Sequence, residues 1–133
     1  MNYDSVFDKW HEECGVFGIY DRTVDVARYV YWGLFALQHR GQESAGIAVT
    51  DGHDVELKKG MGLLTEAIKE LPALPSYMGT GHVRYSTTGS NNPRNIQPLV
   101  IHYQGGQIAV AHNGNLTNAL SIRKRLEADG SIF

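Results

Sequence analysis

No run of apolar residues in this chain is longer than nine, and that run, Tyr29 to Leu37, includes Gly33. A bilayer-spanning helix needs about 20 such residues. The core must therefore be assembled from short elements, and the residues between them set the architecture. Those connecting stretches are polar turns built on glycine: His39-Arg40-Gly41-Gln42, Gly79-Thr80-Gly81-His82 and His112-Asn113-Gly114-Asn115. Glycine is 15 of the 133 residues, above the usual ~7%, and in such places it permits a sharp turn or a close backbone approach. The first ten residues carry Asp4, Asp8 and Lys9 and no apolar stretch, which excludes a secretory signal. A 42% hydrophobic, 20% charged composition excludes a disordered chain. With 12 basic against 14 acidic residues there is no basic stripe to bind phosphate backbones, so nucleic acid is not an expected partner. The single cysteine, Cys14, excludes an internal disulfide and a multi-thiolate zinc site, and fits a reducing compartment.

Periodicity places the elements. Residues 15–20 read as a short buried strand. Asp21 to Asp25 reads as a turn with a helix cap at Thr23 or Asp25. The apolar recurrence Val26, Tyr29, Val30, Gly33, Leu34, Leu37 predicts a helix stopped by Gly41. Ala45 to Thr50 is a strand, Asp51-Gly52 a two-residue hairpin turn, and Val55 and Leu57 mark the return strand. Thr65 is placed to cap a short helix ended by Pro72 and Pro75. Strand signals return weakly at 78–85 and clearly at 99–103, with Gly105-Gly106 turning into 107–112. A last helix is predicted from Leu116 to Ala128, with Leu116, Leu120 and Leu126 inward and Gly130 as its stop. Hairpin strands with segregated helices predict an α+β class with antiparallel sheet. Ser86 to Asn95 is the best candidate for a mobile loop.

Cys14 is either a small buried hydrophobe or a nucleophile. It stands at the mouth of a strand between Glu13 and Gly15, and a thiolate nucleophile needs a base and an oxyanion site. His39, His82 and His112 each precede a polar turn, with no ligand spacing for a metal, so no metal is expected; histidines that anchor turns are the commoner case. Asn113-Gly114 can offer a side-chain amide and a main-chain N–H to a developing oxyanion, or can be a plain strand-to-helix turn. Arg84, at a strand end, can grip a carboxylate through two parallel bonds or form an exposed ion pair. Arg40 has the same two readings.

Four segments taken together go further: Glu13-Cys14-Gly15-Val16-Phe17-Gly18-Ile19, Leu37 to Gly46 (LQHRGQESAG), Gly81-His82-Val83-Arg84-Tyr85-Ser86-Thr87 and His112-Asn113-Gly114-Asn115-Leu116-Thr117-Asn118. In this order they resemble the glutaminase domain of the amidophosphoribosyltransferase branch of class II glutamine amidotransferases. Gln-His-Arg-Gly-Gln at 38–42 is similar to the purine branch; glucosamine-phosphate and asparagine synthase relatives, the nearest rivals, differ there. The resemblance implies an N-terminal-nucleophile hydrolase fold, a four-layer αββα sandwich with antiparallel sheets. It divides the chain into a propeptide, 1–13, and a glutaminase domain, 14–133, that is C-terminally incomplete and lacks its phosphoribosyltransferase domain. It implies self-catalysed cleavage between Glu13 and Cys14, because the α-amine of the nucleophile acts as base in such enzymes.

Under the same resemblance Cys14, Asn113 and Gly114 are catalytic. Arg84, His82 and Arg40 bind substrate, with Arg84 on the glutamine carboxylate and Arg40 supporting the loop around the nucleophile. Tyr85 and Thr87 belong to a glutamine loop, residues 84 to about 96, that closes over substrate and signals to the partner domain. The family's aspartate for the glutamine ammonium lies beyond Phe133. No cofactor is expected in this segment. The full-length enzyme is expected to use Mg2+ with phosphoribosylpyrophosphate, with room for an iron–sulfur cluster, and to be a cytoplasmic homo-oligomer without membrane contact. Glutamine is the expected substrate here and phosphoribosylamine the product of the whole enzyme. The reading from another class is a non-catalytic binding module that keeps Cys14 internal.

Overall fold

The computed structural model describes residues 14–85, 92–114 and 116–132. The expected propeptide with Glu13, and Ser86 and Thr87 of the expected loop, lie outside the described residues.

Strand β1, Gly15–Tyr20, leads into helix α1, Val26–Ala36. Asp25 caps α1, its carboxylate accepting from the Arg28 N–H at 3.2 Å, as expected for a short acidic side chain before an apolar helix. A 3-10 turn, Gln38–Arg40, follows. Then come β2, Ser44–Thr50, and β3, Val55–Met61, the four-residue α2, Leu64–Ala67, and β4, Met78–Arg84. A second 3-10 turn at Pro93–Asn95 precedes the hairpin β5, Leu99–Tyr103, and β6, Gly106–Val110; α3 spans Ala119–Ala128. The larger sheet is antiparallel throughout, in the order β1-β4-β2-β3, and β5-β6 form a second sheet.

Register sorts the side chains. Opposite Gly79, Gly81 and Val83 on β4 stand Ile19, Phe17 and Gly15 on β1 and Val49, Ile47 and Ala45 on β2. This face receives α1 through Val26, Val30 and Leu34, all fully buried. Each such side chain contributes about 1.5–3 kcal/mol on burial. The glycines make the close approach possible: a Cβ on Gly81 would lie 2.6 Å from Leu34 Cδ1 and 2.7 Å from Val30 Cγ1. The opposite face carries Val16, Gly46, Ala48, Thr80 and His82. The β5-β6 hairpin lies over its far end, where Gln107 Oε1 accepts the Val55 N–H at 2.7 Å. Positions 44–49 of β2 are all buried, as befits a strand covered on both sides. The α+β class with antiparallel sheets is what the strand order and turn signals predicted.

Local details differ from the sequence reading. The β2–β3 turn has four residues, not two, because Thr50 pairs with Val55; Asp51 Oδ1 accepts from both His53 and Asp54 and holds the longer turn. Thr65 does not cap α2. Leu63 occupies that position, and the Glu66 carboxylate accepts its N–H at 2.8 Å. Helix α3 begins at Ala119, not Leu116. Leu116 and Leu120 are exposed, and the half-buried pair is Ile122 and Leu126, four residues apart. Gly130, at φ 93°, ends this helix as expected. Gly41 does not end α1: the helix stops at Ala36, and Gly41 is extended.

Candidate active site

The site lies where the start of β1, the end of β4 and the turn after β6 converge. Cys14 is half-buried and, unusually for a residue with a Cβ, has φ 58°. Such a conformation costs on the order of 1–3 kcal/mol and needs its surroundings to hold it. Three hydrogen bonds do so. The Cys14 N–H donates to the Arg40 carbonyl at 3.0 Å, Arg40 Nε donates to the Cys14 carbonyl at 2.8 Å, and Asn113 Nδ2 donates to the same carbonyl at 3.3 Å. Arg40, expected among substrate-binding residues, thus clamps the Cys14 backbone on both sides.

The Arg40 turn reaches this position because Gly41 has no side chain. A Cβ there would fall 2.6 Å from the backbone of Val83 and of Arg84. Gln38 fastens the same turn, its Nε2 donating to the Gly41 carbonyl and its Oε1 accepting the Leu64 N–H at 2.7 Å.

The Cys14 thiol lies against Tyr85. Its Sγ is 3.4 Å from both the Tyr85 N–H, a donor to sulfur, and the Tyr85 carbonyl, an acceptor from the thiol. The Tyr85 side chain is exposed. Arg84 Nη1 donates to the Asn95 carbonyl at 3.0 Å, tying the end of β4 to the 3-10 turn at 93–95. The expected loop therefore has its two ends joined.

Asn113 and Gly114 are both exposed at the turn after β6, and Gly114, at φ 143°, holds a conformation that disfavours side chains. This turn is anchored by Gln97, whose Oε1 accepts the His112 N–H at 2.6 Å. Gln97 itself sits over Gly46, and its carbonyl occupies the space that a Cβ there would take. Lys59 Nζ donates to the Ile96 carbonyl at 3.0 Å and holds the same segment. Gln97 and Lys59 escaped the sequence reading; the available signal was Gly46, a glycine inside an apolar strand, which marks close backbone approach.

His82 was expected to bind substrate. It is instead among the most buried side chains, 1% exposed, on the inner face of β4. Burial, and then the nearby Arg84 and His112 charges, push its pKa down to about 4 against an opposing effect of the His112 backbone. It is a neutral imidazole at physiological pH. A cleft of about 610 Å³ lined by Tyr20, Thr50, Met78 and Ile108 lies at the opposite end of the strands, away from the thiol. Among the described residues no cluster of three His, Cys, Asp or Glu side chains could hold a metal, and none of the helices is long and apolar enough to cross a membrane.

A thiol at a strand mouth, beside the main-chain donor of Tyr85 and tied through its own carbonyl to an Asn-Gly turn, can support acyl transfer from an amide. The chain belongs to the class II glutamine amidotransferases, whose family pattern it matches over residues 40–129. The amidophosphoribosyltransferase of Methanocaldococcus jannaschii is 51% identical over 123 residues, which is 90% of this chain and 26% of that protein. The same enzyme of Staphylococcus aureus is 49% identical over 92% of this chain and 25% of its own length. The solved glutamine phosphoribosylpyrophosphate amidotransferase of B. subtilis, complexed with ADP and GMP, superposes with a TM-score of 0.80 at 45% identity, over 89% of this chain and 26% of that one. The N-terminal-nucleophile hydrolase fold is thereby shared. The chain spans about a quarter of the length of these relatives.

Proposed function

We propose that this chain is the glutaminase part of an amidophosphoribosyltransferase, releasing ammonia from the side chain of glutamine. The observation that carries this reading is the meeting of Cys14 with Asn113, 99 residues apart, through the 3.3 Å bond at the mouth of β1.

Cys14 is released as the first residue by cleavage after Glu13, and its α-amine, with a reference pKa of about 7.7–8.0, becomes a base near working pH. The amine takes the thiol proton while Sγ attacks the side-chain carbonyl carbon of glutamine. The resulting oxyanion is held by Asn113 Nδ2 and the Gly114 N–H. As the intermediate collapses, the carbon–nitrogen bond breaks, the amine returns the proton to the leaving nitrogen, and ammonia departs from a glutamyl thioester. Water, deprotonated by the same amine, then opens the thioester to glutamate and restores the thiol. Arg84 meets the substrate carboxylate in place of the Asn95 carbonyl, and the segment from Arg84 to about residue 96 closes over the substrate and excludes water.

In the whole enzyme the ammonia displaces pyrophosphate from phosphoribosylpyrophosphate to give 5-phosphoribosylamine for purine synthesis. The described residues do not fit Mg2+ or an iron–sulfur cluster, since they include one cysteine and no group of three His, Cys, Asp or Glu side chains that could hold a metal; in this proposal such groups belong to the remainder of the whole enzyme. A cytoplasmic homo-oligomer is part of the same proposal.

Intact mass and glutamine hydrolysis test it together. Loss of residues 1–13 and ammonia release abolished in Cys14→Ala are the expected results. Equal hydrolysis by the Cys14→Ala variant would end the nucleophile assignment.

A further inference from the structure

We infer that His82 is a positioning residue, which supports the Asn113–Gly114 turn from beneath through the main chain of His112 and does not touch the substrate. The inference rests on the glutaminase reading and assigns the turn a second anchor.

The ring is buried at 1% exposure, and neither ring nitrogen closes a hydrogen bond in this structure. A buried polar group left without a partner costs about 1–3 kcal/mol, so such a group normally has a use. Its surroundings narrow the choice. Its cross-strand neighbours are Val16 on β1 and Gly46 on β2, and neither offers a polar side chain. The space over Gly46 is filled by Gln97, whose side chain already holds the His112 N–H at 2.6 Å. The groups that act electrostatically on the ring are the His112 backbone and the Arg84 and His112 side chains. The His112 backbone acts to raise the pKa of the ring, the sense expected of a carbonyl that accepts from it, and an uncharged imidazole keeps one N–H to donate there.

His112 immediately precedes Asn113. A carbonyl fixed at His112 therefore orients the peptide that leads into both proposed oxyanion donors. Hydrogen bonds of catalytic assemblies are often long in the free enzyme and tighten as charge develops. The His82 N–H closes onto the His112 carbonyl in this way when the turn settles around the oxyanion. Gln97 holds the N–H side of the same residue, so the turn is gripped from two directions.

The test uses a glutamine-analogue diazoketone, which alkylates the nucleophilic sulfur and is read as a mass adduct on Cys14. The maximal inactivation rate and the half-saturating concentration are measured for the whole chain and for His82→Phe and His82→Asn. The expected result is a fall of tenfold or more in maximal rate for His82→Phe, less than the ~10²–10³ typical of losing a direct oxyanion donor. Half-saturation should stay within twofold, and His82→Asn, which keeps a donor, should recover part of the rate. An unchanged maximal rate, or a change confined to half-saturation, would overturn the assignment. The amide spectrum of His82→Asn decides independently of activity: its largest shifts should fall on His112, Asn113 and Gly114, and unmoved signals there reject the contact. If Cys14 of the parent takes no adduct, the glutaminase reading falls, and the amide spectrum alone settles the role of His82.

Discussion

Cys14 holds a backbone conformation that its own side chain disfavours, and Arg40 is the main reason it stays there. The planar guanidinium presents Nε to the Cys14 carbonyl while the Arg40 carbonyl takes the Cys14 N–H. Lysine has no donor at the position of Nε, so Arg40→Lys keeps the charge and loses the fork. A hydrogen bond from a charged group is worth roughly 1.5–3 kcal/mol. If that support is used to aim the thiol, Arg40→Lys should lower kcat for glutamine hydrolysis by an order of magnitude with a smaller change in KM. A kcat at the parent level would show that the clamp is dispensable. Cys14, Arg40, Asn113 and Gly114 were all legible as candidates because each stands beside a glycine or at a strand mouth. Gln97 was not legible. It sits between Ile96 and Pro98 with no motif around it, and its importance depends on a contact with Gly46 more than fifty positions away.

At the level of elements, α1 packs directly on β4, the strand whose end carries Arg84. Gly79 and Gly81 leave Val26, Val30 and Leu34 room to sit directly on the strand backbone. Gly81→Ala would introduce a methyl group where Leu34 and Val30 already lie, and overpacking of this kind costs about 1–3 kcal/mol. The thermal midpoint, followed by circular dichroism, should fall by several degrees; an unshifted midpoint would mean that α1 can lift without penalty. Strands and helix α1 were readable because their apolar spacing is strong. Turn length and helix ends were not, because they depend on side-chain bonds to backbone. Asp51 takes two N–H groups into a turn that Asp-Gly alone would close in two residues. The extended Gly41 was read as a helix stop because a glycine after an apolar helix usually is one; its function is instead to make room for the β4 backbone, which no local pattern announces.

Across the whole molecule, the pH dependence of stability follows from where the charges lie. His82 is buried as a neutral ring with a folded pKa of about 4, against about 6.5 when the chain is unfolded. Between these values the unfolded state binds the proton and the folded state does not. The stabilisation from a neutral His82 is therefore complete above about pH 6.5 and is lost progressively as the pH falls towards 4, by up to about 3 kcal/mol. Asp21, Asp51 and Glu56 also have lowered pKa values, held down chiefly by hydrogen bonds from Thr23, from Asp54 and His53, and from Leu74. Their folded pKa values lie below the ordinary carboxylate range, so their contributions are lost as the pH falls through that range and beyond it. The two effects separate by window and by mutation. Thermal midpoints measured from pH 7 to pH 4 should fall more steeply for the parent than for His82→Phe, with the difference concentrated above the carboxylate range. Parallel curves would mean that the His82 ring is hydrated, and a hydrated ring could not serve as the dry support beneath the Asn113–Gly114 turn.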